Sequence, residues 1–104
     1  MIWVDQQMDI YFVQKVKLWI RGLSIGSALD EEIWQDVLAC CADLKIAGVV
    51  KTDLDDPLIQ QAVKLYCKAH FGYEEDSEKF QQAYDALKAS LSLSGEYTVR
   101  EESK

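Results

Sequence analysis

The sequence is poor in residues that form tight turns. It contains one proline and five glycines in 104 residues, whereas a fold built from many β-hairpins needs those residues repeatedly. A many-turned all-β fold is therefore disfavoured, and helices are the expected elements. Long apolar runs are also missing, because a glutamine and two lysines interrupt the apolar stretch of residues 10–20. This stretch is too short and too polar to span a membrane, so no membrane partner is implied.

Residues that carry catalysis or bind metals are few. Cys40, Cys41 and Cys67 form neither an even disulfide set nor a CxxC pair, and His70 is the single histidine. This cysteine usage favours a reducing, intracellular setting, and one histidine does not complete a usual zinc site. The sequence also lacks the glycine-rich motifs that cradle nucleotide phosphates. We expect no catalytic residue, no metal and no cofactor.

Basic residues are outnumbered by acidic ones. Eleven lysines and arginines against eighteen aspartates and glutamates give a formal charge of -7. A protein that holds DNA by neutralising phosphates has the opposite balance, so tight DNA binding is disfavoured. The acidic clusters at residues 53–56 and 74–76 do not follow the order of a calcium-binding loop. Helix capping and a solvated turn are simpler interpretations of both clusters.

What the sequence does contain is enough apolar residues, 49% of the chain, for one folded domain with helical periodicity. The spacing predicts helices over about residues 8–21, 27–47 and 57–71. A fourth helix, which carries Phe80 and Leu91, is predicted after the acidic turn. Ser27 with Asp30 is typical of a capping box, and Asp56 before Pro57 is typical of a helix start. The fold class is therefore all-α, a small bundle of about four helices.

Two regions lie apart from this core pattern. Tyr11 and Leu18, seven residues apart, form a second apolar strip on the first helix. Residues 95–104 have no apolar period beyond the isolated Tyr97 and Val99, and are predicted to be a flexible C-terminal tail after a helical domain of residues 8–94. Tyr11, Leu18, Tyr97 and Val99 are the candidate contacts with another subunit or a partner. For Tyr11 and Leu18, the alternative is that they are scattered surface residues of a monomer.

Two stretches resemble a known family. They are residues 56–73, DPLIQQAVKLYCKAHFGY, and residues 78–97, EKFQQAYDALKASLSLSGEY. In order, they give an Asp-Pro helix start, a helix that ends in an aromatic residue and glycine, an acidic turn, and a Phe-x-x-x-Tyr-x-x-Leu-Lys pattern. Together they are similar to the C-terminal half of the small head-tail connector proteins of tailed bacteriophages, also called phage DNA-packaging proteins. Residues 1–7 precede the usual start of such chains and are expected to be an N-terminal extension, with Met8 as a plausible start.

The resemblance implies a non-enzymatic virion protein at the head-tail junction, assembled in the host cytoplasm. Such a protein would form a ring beneath the portal protein, extend the DNA channel and seat a stopper or tail-completion protein. DNA would pass through without specific binding, and Glu74, Glu75 and Asp76 are the candidate acids that face it. Ring closure needs two different patches on each subunit, and the strip of Tyr11 and Leu18 is a candidate for one of them.

Two other hypotheses remain open on the sequence. The same composition would serve an acidic helical adaptor or regulatory protein that acts as a monomer or dimer. A small enzyme could use Cys67 with His70, which lie three residues apart on one helix, although ordinary packing accounts for both side chains.

Overall fold

A computed structural model describes residues 8–21, 27–71 and 74–98, and all of the regular structure in these ranges is helical. The α-helices are α1 (Ile10–Arg21), α2 (Asp30–Ile46), α3 (Pro57–Phe71), α4 (Ser77–Ser92) and α5 (Gly95–Thr98). Short 3-10 turns, Ser27–Leu29 and Glu74–Asp76, precede α2 and α4. The prediction of a small all-α bundle is confirmed. Among the described helices, none has the length and apolar character to cross a membrane.

Helix α3 is the centre of the bundle. It packs against α1, α2 and α4, most extensively against α4. Its buried residues are small or branched: Ile59, Ala62, Val63, Cys67 and Ala69. Small side chains let neighbouring helices approach closely, and this single core holds every other described helix in place.

Local sequence sets the ends of two helices as predicted. The Asp56 carboxylate accepts hydrogen bonds from the backbone amides of Leu58, at 3.0 Å, and Ile59, at 3.2 Å. It therefore satisfies two amides that the first turn of α3 leaves without partners. After α2, Gly48 adopts a φ of +102°, a conformation that L side chains rarely take. Glycine at this position lets the chain reverse towards α3.

The start of α2 differs from the predicted capping box. Residues Ser27–Leu29 form a 3-10 turn, and the residue at the N-cap, Leu29, makes no side-chain cap. The Asp30 carboxylate pairs instead with Lys17 Nζ on α1, at 2.6 Å, and both residues are buried. Lys17 is one of the two lysines that interrupt the apolar stretch of residues 10–20, and a charged residue there is expected outside the core. Its burial is possible because a carboxylate 13 residues away compensates the ammonium charge.

The C-terminal boundary also differs from the prediction. Residues 95–98 were expected to belong to a flexible tail, but they form α5, and Tyr97 is only 7% exposed. The folded domain therefore continues to Thr98. Val99, the rest of the predicted tail and the predicted extension of residues 1–7 lie outside the described residues.

Candidate functional site

The outer face of α1 carries large apolar side chains that the bundle does not cover. Tyr11 is 85% exposed and Leu18 is 62% exposed, and the exposed Gln14 lies between them. Positions 11, 14 and 18 follow the alternating three- and four-residue spacing of one helix face. We call these three residues the α1 stripe. The structure thus brings Tyr11 and Leu18 to one outer surface, as the sequence predicted.

The opposite face of α1 fixes the orientation of this stripe. Val13 and Val16 are fully buried, and Phe12 and Ile20 lie with them in the core. At the helix start, the Phe12 amide donates a hydrogen bond to Asp9 Oδ1 at 3.1 Å. A helix held by a buried face and a capped end presents its outer side chains in a defined direction.

A second exposed stripe runs along α2. It consists of side chains that are all exposed and that recur at three- and four-residue intervals: Glu32, Gln35, Ala39, Ala42 and Ile46. Ile46 is 86% exposed, as much as any large apolar residue of the described chain. We call these five residues the α2 stripe. The helical pattern of the sequence did not identify this stripe, although Ala39 and Ile46 have the seven-residue spacing of one helix face.

Polar contacts tie α2 to α4. The Tyr84 hydroxyl donates a 2.7 Å hydrogen bond to Asp43 Oδ2, and Lys88 Nζ donates to the same oxygen at 2.9 Å. The contact with Lys88, and then that with Tyr84, lowers the pKa of the Asp43 carboxyl. Burial raises the pKa of the Tyr84 hydroxyl, which therefore stays protonated and keeps donating. This cluster holds the C-terminal half of α2, and with it Ala42 and Ile46.

Tyr97 was predicted from the sequence to contact a partner, but its side chain is buried within the domain. Its hydroxyl donates to Asp56 Oδ2 at 2.8 Å, and its carbonyl accepts from the amides of Val50 and Lys51 at 2.9 and 3.2 Å. The hydrogen bond to Asp56, with partial desolvation, raises the pKa of Tyr97 to about 12. Tyr97 therefore closes the domain onto itself and does not join Tyr11 and Leu18 in an exposed surface.

The three candidate channel acids share one short element. Glu74, Glu75 and Asp76 form the 3-10 turn before α4. The Glu75 side chain is exposed and that of Asp76 is half-buried, while the Glu74 side chain lies outside the description. The turn places these residues together, and an exposed carboxylate there is available to repel phosphate groups.

Cys67 and His70 do not form a nucleophile and base pair. The His70 ring nitrogen Nδ1 lies 3.1 Å from Asp36 Oδ2, and Cys67 is fully buried. Burial raises the pKa of the Cys67 thiol far above its ordinary value and that of Cys40 to about 12. Neither buried thiol supplies a thiolate near neutral pH. In the described ranges, no group of three His, Cys, Asp or Glu side chains is placed to hold a metal ion.

Comparison with protein families gives a match over most of the chain. The model of the family described as "Phage connector protein" matches residues 13–98, a range that runs from α1 to the end of α5. Searches of the curated proteins and of the solved structures returned no match. The matched range contains α2 and its exposed stripe, the acidic turn and the closing residue Tyr97.

Proposed function

The chain belongs to the phage connector protein family and has a structural connector role, and on this premise we propose that copies of it form a ring beneath the portal protein. The ring extends the DNA channel of the head and seats the stopper or tail-completion protein. The protein is non-enzymatic in this role and acts in the virion at the head-tail junction, after assembly in the host cytoplasm. The observation that carries the proposal is the family match over residues 13–98.

Two exposed faces support assembly into a ring. The α1 stripe and the α2 stripe lie on different helices of the same domain, and both contain large apolar side chains that are exposed, namely Tyr11, Leu18 and Ile46. A contact between two different patches is heterologous, and repeated heterologous contacts close into a ring when the rotation between subunits allows it. The ring is therefore the assembly that uses both faces of every copy.

The charge of the chain suits a channel for DNA. With a formal charge of -7, a ring of many copies repels the phosphate backbone, whereas a lysine-rich channel would hold it through counterion release. We place the turn of Glu74, Glu75 and Asp76 at the channel surface, where the exposed Glu75 is the best-positioned acid. DNA then passes without specific binding.

The residues that follow α5 are proposed to contact a partner. Tyr97 anchors α5 against α3 through Asp56, so residue 99 follows directly after a fixed point of the domain. We propose that Val99 and the residues after it contact the portal protein or the neighbouring subunit. An apolar residue beside charged ones gains contact energy there that offsets the ordering entropy of the segment.

Electron microscopy of a lysate tests this function. The phage or prophage that encodes the chain is given an early stop codon in this gene, and the same phage complemented with the full chain is the control. We expect DNA-filled or leaking heads beside separate, complete tails in the mutant, and intact virions after complementation. Normal infectious virions without the protein would contradict the connector role and favour a regulatory adaptor.

A further inference from the structure

The two exposed stripes point to a specific contact between copies. We infer that the α1 stripe of one copy packs antiparallel against the α2 stripe of the next copy. This inference rests on the proposed ring and identifies the surfaces that form it. Its partner is a second copy of this chain.

The shapes of the two stripes are complementary. The α1 stripe presents large side chains at Tyr11 and Leu18, whereas the middle of the α2 stripe presents the small side chains of Ala39 and Ala42. Large residues on one helix pack into the space over small residues on another, as ridges pack into grooves. Tyr11 and Leu18 are seven residues apart, as are Ala39 and Ile46, so both pairs span about 10 Å of helix.

The seven-residue spacing matches the apolar residues in either direction. With Leu18 opposite Ala39, an antiparallel arrangement places Tyr11 opposite Ile46. A parallel arrangement with Tyr11 opposite Ala39 places Leu18 opposite Ile46 and covers the same side chains. Both registers leave Glu32 beyond the ends of α1, which runs from Ile10 to Arg21, so the charges beside the stripes decide the direction.

Charge favours the pairing of unlike stripes. The exposed Lys15 flanks the α1 stripe, and the half-buried Asp43 flanks the α2 stripe. In the antiparallel register these two residues lie on the same side of the contact, where their opposite charges attract, whereas in the parallel register they lie on opposite sides. Lys88 shares the Asp43 carboxylate, so this attraction selects the direction of the contact and adds little to its strength. Two α1 stripes facing each other would bring Lys15 beside its copy and would leave the α2 stripe uncovered. Such a symmetric contact ends at a dimer.

Cysteine cross-linking in assembled particles tests the contact. Full chains with Leu18→Cys and full chains with Ala39→Cys, carrying different tags and Cys41→Ser, are supplied together to the stop-codon phage. Mild oxidation of its head-tail junctions is expected to link the two kinds of chain, because a disulfide requires the two Cβ atoms to lie within about 4.5 Å. A chain with both substitutions should give a ladder of linked subunits. The control replaces Ala39→Cys with Gln82→Cys, at an exposed position on α4, and should give no link.

Two results overturn the inference without affecting the proposed function. One is a ring at the junction without any link between residues 18 and 39. The other is linkage between two copies of Leu18→Cys, which indicates the symmetric contact. Absence of the chain from the junction would overturn the proposed function, and with it this contact.

Charged substitutions at positions 18 and 39 give an independent test that needs no cross-link. Leu18→Glu places a carboxylate in the contact without touching the core, since Leu18 is exposed. We expect it to lower the yield of complete virions at least about tenfold, because a loss of about 1.4 kcal/mol in one contact lowers its equilibrium constant tenfold. Adding Ala39→Lys in the same chain should restore the yield, because every contact then pairs opposite charges. Equal yields for the single and double variants would contradict the contact, and purified Leu18→Glu chain with unchanged circular dichroism shows that folding is unaffected.

Discussion

The Tyr97 hydroxyl donates a 2.8 Å hydrogen bond to Asp56 Oδ2 and thereby joins α5 to the start of α3. The same carboxylate oxygen caps α3 by accepting from the Leu58 and Ile59 amides. Partial desolvation acts to raise the pKa of the Asp56 carboxyl, but the hydrogen bonds from Tyr97, Ile59 and Leu58 outweigh it and lower that pKa. One carboxylate thus fixes both the entry of the central helix and the last described helix.

The first prediction concerns Tyr97. Tyr97→Phe removes only the hydrogen bond and should lower the free energy of unfolding by about 1 kcal/mol. Tyr97→Ala also removes the buried ring and should lower it by about 3 kcal/mol. Urea denaturation followed by circular dichroism measures both values. Tyr11→Ala is the matched control, because the exposed Tyr11 ring should change the same quantity by no more than about 0.5 kcal/mol. An equal effect of the two alanine variants would contradict the closing role of Tyr97.

The sequence predicted one half of this relationship. Asp56 before Pro57 is a local signal, since a cap contacts amides two and three residues further along. Tyr97 gives no such signal, because its partner lies 41 residues away and it follows the last apolar period of α4. An isolated aromatic residue near a chain end has the same appearance whether it is buried or exposed, and only the packed domain distinguishes them.

The second prediction concerns the buried pair of Lys17 and Asp30, at 2.6 Å. Lys17→Met leaves an uncompensated carboxylate in the interior and should lower the free energy of unfolding by about 3 kcal/mol or more. The double variant Lys17→Met, Asp30→Leu removes both charges and should recover most of that loss.

Urea denaturation of Lys17→Met, of Asp30→Leu and of the double variant completes this cycle. Lys15→Met is the control, since Lys15 is exposed on the same helix and its loss should have little effect. If the two single losses simply add in the double variant, the buried pair does not act as a unit.

The helical pattern identified the core but not this pair or the α2 stripe. It separates apolar from polar residues, so it does not identify Lys17 as a buried residue, although Lys17 pairs with Asp30 in the interior. For the same reason the helical pattern does not predict that Ile46, two residues after the buried Leu44, lies on the outer face. Both outcomes depend on which helix packs beside a residue, and local spacing does not contain that information.

The third prediction concerns stability at alkaline pH. Burial raises the pKa of the Cys40 thiol from 9.0 to about 12. The unfolded chain then releases the thiol proton at lower pH than the folded chain. The stability that Cys40 contributes is therefore complete below pH 9 and is lost as the pH rises from about 9 to about 12, by up to about 1.4 kcal/mol per pH unit.

Urea denaturation between pH 8 and pH 10.5 measures this slope. Cys40→Ala should make the decline above pH 9 shallower, even though the variant is less stable at neutral pH. Ser90→Ala, an exposed position on α4, serves as the control and should keep the wild-type slope. An unchanged slope in Cys40→Ala would show that the thiol ionises as readily in the folded chain as in the unfolded one.

The fourth prediction concerns the proposed channel surface. Glu75→Lys exchanges an exposed carboxylate for an ammonium in every copy of the proposed ring. Particles with this variant should assemble but release their DNA more slowly, and added salt should reduce the difference because it screens contacts with phosphates. Asp85→Lys makes the same change of charge at an exposed position of α4 and is the control. Equal ejection rates for the two variants, measured by a DNA-binding dye outside the particle, would remove Glu75 from the channel.

Cryo-electron microscopy of the virion neck decides whether this chain forms the proposed ring between the portal and the tail. We expect a closed ring of helical domains below the portal, into whose density helices α1 to α5 fit in every subunit. The α1 stripe of each copy should lie against the α2 stripe of the next. A neck in which the portal contacts the stopper or tail directly, without density for this domain, would show that the chain forms no such ring.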